Sequence, residues 1–226
     1  MGFALFSSLV SWALAFYLLG RYLRRPSLHG GLYALGLFLF ALGVSLELLA
    51  RLQGGWPPLA YRLWYLVGAM HGVTFLGLGS LALLSPKGAR TLLMVLSPLV
   101  LWGAYLVFAT PLDLSRLPYP SAPTGQAFPP PALTSPRLWT IPFNLIGTVL
   151  MLGVAVYTTL FFWRKNPLKA QGTLLIALSA LVLASTSALN RFGVVGLEEL
   201  GRAVGVGLLA LGVALADRGA YAARGA

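Results

Sequence analysis

The sequence predicts an all-α integral membrane protein with seven transmembrane helices in one domain. Of its 226 residues, 58% are hydrophobic and 9% are charged, and the mean hydropathy is +0.82. A soluble domain has roughly 45–50% apolar and 25% charged residues. Seven windows of about 20 mostly apolar residues, the length that crosses a bilayer core, are present. We therefore expect a multi-pass protein of the cell membrane, which in a bacterium is the cytoplasmic (inner) membrane.

The predicted spans are separated by residues that end helices. Proline removes a backbone donor and glycine loosens the backbone, and both occur between the apolar windows. The first apolar run continues to Arg21, which is long for a signal peptide, so we predict an uncleaved first span. The seven predicted spans are residues 3–22, 31–52, 60–84, 90–109, 139–163, 170–190 and 197–217.

One long connection, residues 110–138, separates the fourth and fifth spans. The stretch Thr110–Arg137 contains eight prolines, including the run Pro129-Pro130-Pro131. Such a segment favours extended, polyproline-like backbone and does not form a helix. It is predicted to be an external loop, either a semi-rigid lid over the bundle or a plain linker between two helices.

The basic residues predict an external N-terminus and a cytoplasmic C-terminus. Short cytoplasmic loops retain an excess of Lys and Arg. Ten of the 16 basic residues fall on one predicted side and six on the other, and the side with six also holds four of the five acids. Aromatic side chains on that second side are expected to form a belt at the membrane surface, namely Trp56, Tyr61, Trp64, Tyr65 and Trp139.

The spans also suggest a parallel duplication. A shift of 140 residues superimposes Arg51 on Arg191, and with them the first two spans on the fifth and sixth. A shift of 133 residues matches three glycines of the third span to three of the seventh. Three helices, a linker helix and three helices of the same orientation would result. In topology, this 3+1+3 arrangement resembles the SWEET sugar transporters, and the resemblance implies a small-solute transporter.

Polar residues inside the apolar windows are the candidates for a functional site. A charge in lipid costs roughly 2.5–3.5 kcal/mol on insertion scales, so such residues usually face a cavity or a partner. Glu47 and Arg51 are four residues apart and can pair on one helix face. His71 is expected near the middle of the membrane. The other candidate ligand-binding residues lie in the external half of their spans: Asn144, Ser187, Asn190, Arg191 and Arg202. Together they predict a polar pocket that opens to the outside.

Plainer interpretations of the same residues stay open. Glu47 and Arg51 would also suit a salt bridge at the membrane surface, because long side chains near helix ends reach the headgroups. His71 would equally suit an interior histidine bonded to Thr74 or Ser187. Arg191 and Arg202 are also typical of contacts to lipid headgroups.

Two pairs of glycines have a spacing that is typical of closely packed membrane helices. Small residues four positions apart let two helix backbones approach. The pairs are Gly68 with Gly72, and Gly201 with Gly205. We expect helix packing within one chain, and homodimerisation is the alternative.

The sequence contains no motif of a catalytic, metal or cofactor site. Cysteine is absent, and the two histidines, His29 and His71, lie in different segments, so no His-rich metal site is expected. Neither a phosphate-binding loop nor a nucleophile elbow is present. The net charge of +11 comes from short clusters at helix ends rather than one patch, which disfavours nucleic acid. We predict no catalytic residue, no metal and no cofactor, and hence no enzyme.

The distribution of polar residues favours binding or sensing of a small ligand. The cytoplasmic halves of the spans are almost purely apolar, whereas a transporter needs polar groups along its whole path. The hydropathy pattern also resembles the seven-helix input modules of bacterial histidine kinases, although about nine residues after the last span leave no room for an output domain. The alternatives are a small-solute transporter and a non-catalytic subunit of a larger membrane complex. The expected partners are the lipid bilayer, an unknown small ligand, and a second copy or a membrane partner protein.

Overall fold

The protein is a bundle of seven long helices. In a computed structural model, the structure describes residues 2–117, 124–191 and 197–222, and at residues 190, 191, 221 and 222 it describes the backbone alone. No strand occurs in this part of the chain, and all seven helices are long and apolar enough to cross a membrane. The all-helical, seven-span prediction is therefore confirmed at this level. The helices are α1 (Gly2–Arg24), α2 (Leu28–Leu52), α3 (Pro58–Leu84), α4 (Pro86–Ala109), α5 (Pro136–Phe162), α6 (Pro167–Arg191) and α7 (Leu197–Ala222).

Six helices begin earlier than predicted, and in four of them the first residue is proline. α3, α4, α5 and α6 start at residues 58, 86, 136 and 167, where the sequence pattern places a break. Proline suits the first turn of a helix because that turn leaves its amide groups without partners in any case. Side-chain caps assist these starts: the Ser85 hydroxyl accepts from Gly88 at α4, and the Asn166 side chain accepts from Lys169 at α6.

Six of the helices form a closed ring. In order around the ring they are α1, α2, α3, α5, α6 and α7, and α7 packs against α1 to close it. α4 lies outside the ring against α3 and α5. Buried residues from all six ring helices meet in one cluster, which we call the central apolar cluster: Leu14, Ala15, Leu37, Ala41, Leu76, Met151, Ala180 and Leu209.

Glycines set the closest approaches between helices. A Cβ atom at Gly147 of α5 would lie 2.5 Å from the Val73 carbonyl oxygen of α3, and one at Gly77 of α3 would meet the backbone of Gly147. A Cβ atom at Gly212 of α7 would lie 2.8 Å from the carbonyl oxygen of Gly172 on α6. These contacts are possible only without side chains in between.

The four glycines singled out in the sequence face other helices, or another part of the same helix, of this chain. Gly68 lies against Gly43 of α2. Gly201 and Gly205 lie against side chains of α6, and Gly72 lies nearest to a carbonyl oxygen of its own helix. The surroundings of these positions in the monomer are thus already occupied by the chain itself.

The middle of α3 is not regular. Tyr65–His71 forms a π-helix between the α-helical segments Pro58–Trp64 and Gly72–Leu84. A π-helical turn is wider than an α-helical one, is rare, and occurs often at functional sites. The sequence pattern did not predict it, because apolar residues continue through the whole segment.

The predicted aromatic belt is wrong for three of its five residues. Trp56, Tyr61 and Tyr65 are buried rather than placed at a membrane surface. Tyr61 and Tyr65 pack against Phe128 of the Pro-rich loop, whose ring centroid is 4.8 Å from that of Tyr65, and Trp56 packs against Tyr61. The physical reason is that the loop folds back onto α3 and covers these rings.

The described part of the Pro-rich loop is anchored at several points. The Tyr61 hydroxyl donates to the Thr124 carbonyl, and the Ser135 hydroxyl donates to the Pro129 carbonyl at 2.9 Å. The first bond holds the loop over the start of α3, and the second fixes the loop just before the start of α5. Both the lid and the linker interpretation stay predictions, since residues 118–123 lie outside the described chain.

The two ends of the bundle differ in charge. The basic end holds the end of α1, the start of α2, the α3–α4 and α5–α6 connections and the end of α7. Its basic residues are Arg21, Arg24, Arg25, Lys87, Arg90, Arg164, Lys165, Lys169 and Arg218. The acidic end holds four of the five acids: Glu47, Asp113, Glu198 and Glu199. The fifth acid, Asp217, lies at the basic end and pairs with Arg21 at 2.5 Å.

Candidate functional site

Glu47 is the centre of a network of charged side chains at the acidic end. It lies near the end of α2 and is only 2% exposed. Arg51, one turn later on the same helix, donates to one carboxylate oxygen at 3.2 Å. Arg202 of α7 donates to the other oxygen. Both oxygens of a buried carboxylate are therefore paired with guanidinium groups, which is how a buried charge is tolerated.

Two further carboxylates complete the network. Arg202 also donates to Glu198 at 2.5 Å, and Arg51 also donates to Glu199. Both acids lie in the first turn of α7, where the positive end of the helix dipole favours negative charge. We call these five residues the ion network: Glu47, Arg51, Glu198, Glu199 and Arg202.

The two helices that the ion network joins carry the same local pattern. α2 carries a glutamate with an arginine four residues later, and α7 carries Glu198 with Arg202 at the same spacing. Each helix therefore presents an acid and a base on one face, one turn apart. The arginine of α7 reaches the acid of α2, which ties together the two helices that flank α1 in the ring.

The charges within the ion network do not balance. Three carboxylates face two guanidinium groups, which leaves a formal charge of −1 if all five are ionised. One carboxylate oxygen of Glu198 and the Nε atom of Arg51 are buried and have no hydrogen-bond partner. An unpaired acceptor and an unpaired donor therefore lie within one cluster.

A second group of polar side chains lies between α1 and α2. Ser7, Ser8 and Ser11 of α1 are all buried. The hydroxyls of Ser8 and Ser45 are 3.1 Å apart, and the Trp12 indole N–H donates to Ser45 at 2.8 Å. The sequence-based candidates did not include them, although the spacing of three and four residues on α1 marks one helix face.

His71 lies apart from the ion network. Gly43 of α2 lies against Gly68 of α3, Glu47 is four residues from Gly43 toward the acidic end, and His71 is three residues from Gly68 toward the basic end. At 1.5 Å per residue this separates Glu47 and His71 by roughly 10 Å along the helix axes. One pocket that uses both residues would have to span that depth.

The surroundings of His71 differ from the bonding expected for it. Its ring bonds to the backbone of Leu66 and meets the Phe143 ring edge to face at 5.1 Å, while its Nε2 atom is buried without a partner. The Thr74 hydroxyl lies 3.1 Å from the Phe143 carbonyl oxygen and is not bonded to His71. The expected bond to Thr74 is therefore wrong.

The remaining candidates occupy three different settings. Asn144 of α5 donates to the Ala69 carbonyl of the π-helix at 2.7 Å, so it joins α5 to α3. Ser187 is exposed on α6. The side chains of Asn190 and Arg191 lie outside the described part of the chain. The Arg202 side chain is only 12% exposed and pairs with two carboxylates of the ion network, so the interpretation of Arg202 as a contact to lipid headgroups is wrong.

Comparisons with known proteins do not assign this arrangement. The chain matches no protein-family model, curated protein or solved structure at a significant level. Within the described residues, no group of three or more His, Asp or Glu side chains is placed to hold a metal ion. The chemistry of the ion network is therefore interpreted from its own geometry.

Proposed function

We propose that the protein binds a small polar ligand at the ion network and thereby acts as a sensor in the cell membrane. The observation that carries this proposal is the pair of buried, unpartnered atoms within the network, the second oxygen of Glu198 and the Nε of Arg51. Buried polar atoms in native proteins nearly always have a partner, and an exception calls for a water, an ion or a ligand.

The charge of the ion network indicates the chemistry of the ligand. A surplus carboxylate favours a group that carries positive charge, and an unpaired N–H favours an acceptor beside it. A small molecule with a cationic donor and a neutral or anionic acceptor meets both requirements. Hydrogen bonds to charged groups contribute about 1.5–3 kcal/mol each, which suffices for a specific small-molecule site.

The interior of the ring supports binding rather than passage. The central apolar cluster draws buried apolar residues together from all six ring helices. A polar solute would lose its hydration there without gaining hydrogen bonds. The central apolar cluster therefore closes the ring between the ion network and the basic end.

In this proposal the acidic end faces the outside. Nine of the ten basic residues expected in the cytoplasm lie at the basic end, and the tenth, Arg224, lies outside the described chain. The N-terminus is then external and the C-terminus internal, as the retention of Lys and Arg on the cytoplasmic side requires. A ligand would reach the ion network from outside the cell.

A thermal-shift screen tests the proposal. The purified full-length protein would be screened against small amines, amino acids, carboxylates and uncharged polar compounds. A ligand that binds only the folded state raises the unfolding temperature, because stability grows with the logarithm of ligand concentration over Kd. We expect a compound with a cationic group to produce such a shift, and Glu198→Gln to abolish it.

The matched control is Asp217→Asn. It neutralises another acid of α7 that is also ion-paired, but at the basic end. We expect it to retain the shift. If no compound in the panel stabilises the wild type, or if both variants lose the shift equally, the ion network is not the binding site.

A transporter is the second candidate, and the order of helices around the ring favours it. In the duplication, α1, α2 and α3 correspond to α5, α6 and α7. If each helix is swapped with its counterpart, the same pairs of helices are neighbours in the ring. Leu76 and Leu209 of the central apolar cluster are 133 residues apart, the shift that matches α3 to α7. These relations support the 3+1+3 duplication.

Uptake into proteoliposomes tests the transporter proposal. If the stabilising compound enters proteoliposomes down its gradient, transport is supported, and binding without uptake contradicts it.

A further inference from the structure

A cleft of about 370 Å³ lies between α5 and α6 near the basic end. Its walls are apolar apart from one hydroxyl, and the residues that line it are Val156, Thr159, Leu160, Trp163 and Leu174. Leu160 and Trp163 are largely exposed on the outer surface of the bundle, where a spanning helix meets lipid. Its volume falls within the range of small-ligand pockets. The cleft opens on the outer side of the bundle.

The floor of the cleft is fixed. The hydroxyls of Thr159 and Thr173 are 2.9 Å apart and join α5 to α6. At the turn between these helices, the Asn166 side chain donates to the Gly219 carbonyl of α7 at 2.9 Å. The cleft is therefore a formed feature of three packed helices rather than a gap between loose ones.

Three basic residues lie in or beside the connection between α5 and α6, at the end of the cleft marked by Trp163. Arg164 and Lys165 directly follow Trp163, and Lys169 lies one helical turn before Thr173. The ammonium of Lys165 is 4.1 Å from the centroid of the Phe161 ring, and that of Lys169 is 3.7 Å from the Phe162 ring. Cation–π contacts hold both ammonium groups at the border between apolar and polar surface.

No carboxylate neutralises these three cations in the described chain. The sequence has one acid at this end, Asp217, and Arg21 and Tyr17 bond to it. A cluster of unpaired basic groups beside an apolar cleft complements a molecule with an anionic head and a hydrocarbon tail. Basic pockets between membrane helices on the cytoplasmic side typically bind anionic lipid headgroups.

We propose that this cleft binds an anionic phospholipid of the leaflet at the basic end. One acyl chain occupies the cleft against Trp163 and Leu174, and Arg164, Lys165 and Lys169 hold the phosphate. The site lies at the opposite end of the bundle from the ion network, so the result of testing one proposal does not decide the other.

Quenching of Trp163 by brominated lipids tests the proposal. Bromine on an acyl chain quenches an indole only at contact, and the signal of Trp163 is the difference between wild type and Trp163→Phe. The full-length protein would be reconstituted with increasing fractions of dibrominated phosphatidylglycerol or dibrominated phosphatidylcholine. Each basic residue near the membrane changes lipid affinity roughly fivefold. We therefore expect half-quenching at an at least tenfold lower fraction of phosphatidylglycerol.

Two variants and a control separate a built site from general surface attraction. The triple variant Arg164→Gln, Lys165→Gln, Lys169→Gln should lose the preference for phosphatidylglycerol. Val156→Phe, which fills the cleft and keeps every charge, should reduce quenching by both lipids. The control Arg25→Gln, Lys87→Gln, Arg90→Gln removes three exposed charges from the same end and should keep the preference. Equal quenching of the wild type by both lipids, or equal loss in the control, would overturn the proposal.

Discussion

Glu47 stands between two guanidinium groups, and this position decides what its removal would do. With the carboxylate gone, Arg51 and Arg202 would face each other in a buried setting with one partner fewer each. Each arginine would still pair with one glutamate of α7, but the donors that now bond to Glu47 would be left unpaired. An unpaired buried donor costs about 1–3 kcal/mol, and a charged one more. The cost of removing Glu47 therefore comes mainly from the guanidinium donors that remain without a partner.

We expect Glu47→Ala to lower the free energy of unfolding by about 2 kcal/mol or more, because two charged donors lose a partner. The control is Asp113→Ala, which breaks the exposed ion pair with Arg116 in the loop and should cost at most about 1 kcal/mol. Unfolding in mixed micelles, followed by circular dichroism, measures both. Similar losses for the two variants would mean that the ion network contributes no more than a surface pair.

For His71 we predict only a small effect on stability. Its Nε2 atom is buried without a partner, and the ring meets Phe143 edge to face. Phenylalanine keeps an aromatic ring there and removes the unpaired nitrogen, but it also loses the bond to the Leu66 backbone. We expect His71→Phe to change the free energy of unfolding by less than about 1 kcal/mol. A loss of several kcal/mol in the same micelle assay would show that Nε2 has a partner in the native protein.

Sequence reasoning at the residue scale works where partners are close in the chain. The spacing of Glu47 and Arg51 predicts their pair, and the structure confirms it. It does not predict that Arg202 bonds to Glu47, because these residues are 155 positions apart and meet only once the order of helices is set. The burial of Tyr61 was missed for the same reason, since it depends on where the Pro-rich loop folds.

At the scale of helices, the contact between α3 and α5 rests on two glycines with no side chain between them. Gly77 and Gly147 lie backbone against backbone, so neither has room for a methyl group. The rule that looks for small residues four positions apart in one helix did not select this pair, because the two glycines lie on different helices. Helix lengths were predictable from apolar windows, whereas the π-helical segment of α3 left no mark in the hydropathy pattern.

We expect Gly147→Ala to destabilise the protein by about 1–3 kcal/mol, because the new methyl group would press on the backbone of α3. The control is Gly153→Ala on the same helix, where nothing lies within 4 Å of the added Cβ atom. Alanine is the better helix former, so the control should be neutral or slightly stabilising. Thermal unfolding of both variants distinguishes them, and a neutral Gly147→Ala would contradict the close contact of α3 with α5.

For the whole molecule, the strongest asymmetry is the distribution of charge between the two ends. The ring order and the central apolar cluster show how the helices pack, but packing alone fits either orientation in a membrane. The proposed orientation depends instead on the retention of Lys and Arg in cytoplasmic loops, a property of insertion rather than of the folded bundle. It therefore needs a measurement in cells.

The absence of cysteine makes that measurement simple, because a single introduced cysteine is the only thiol in the chain. Ala132 is exposed in the Pro-rich loop beyond the acidic end, and Lys87 is exposed at the basic end. We expect a membrane-impermeant maleimide to label Ala132→Cys on intact cells. It should label Lys87→Cys only after the membrane is permeabilised. The reverse pattern would place the ion network on the cytoplasmic side, so that any ligand bound there would have to come from inside the cell.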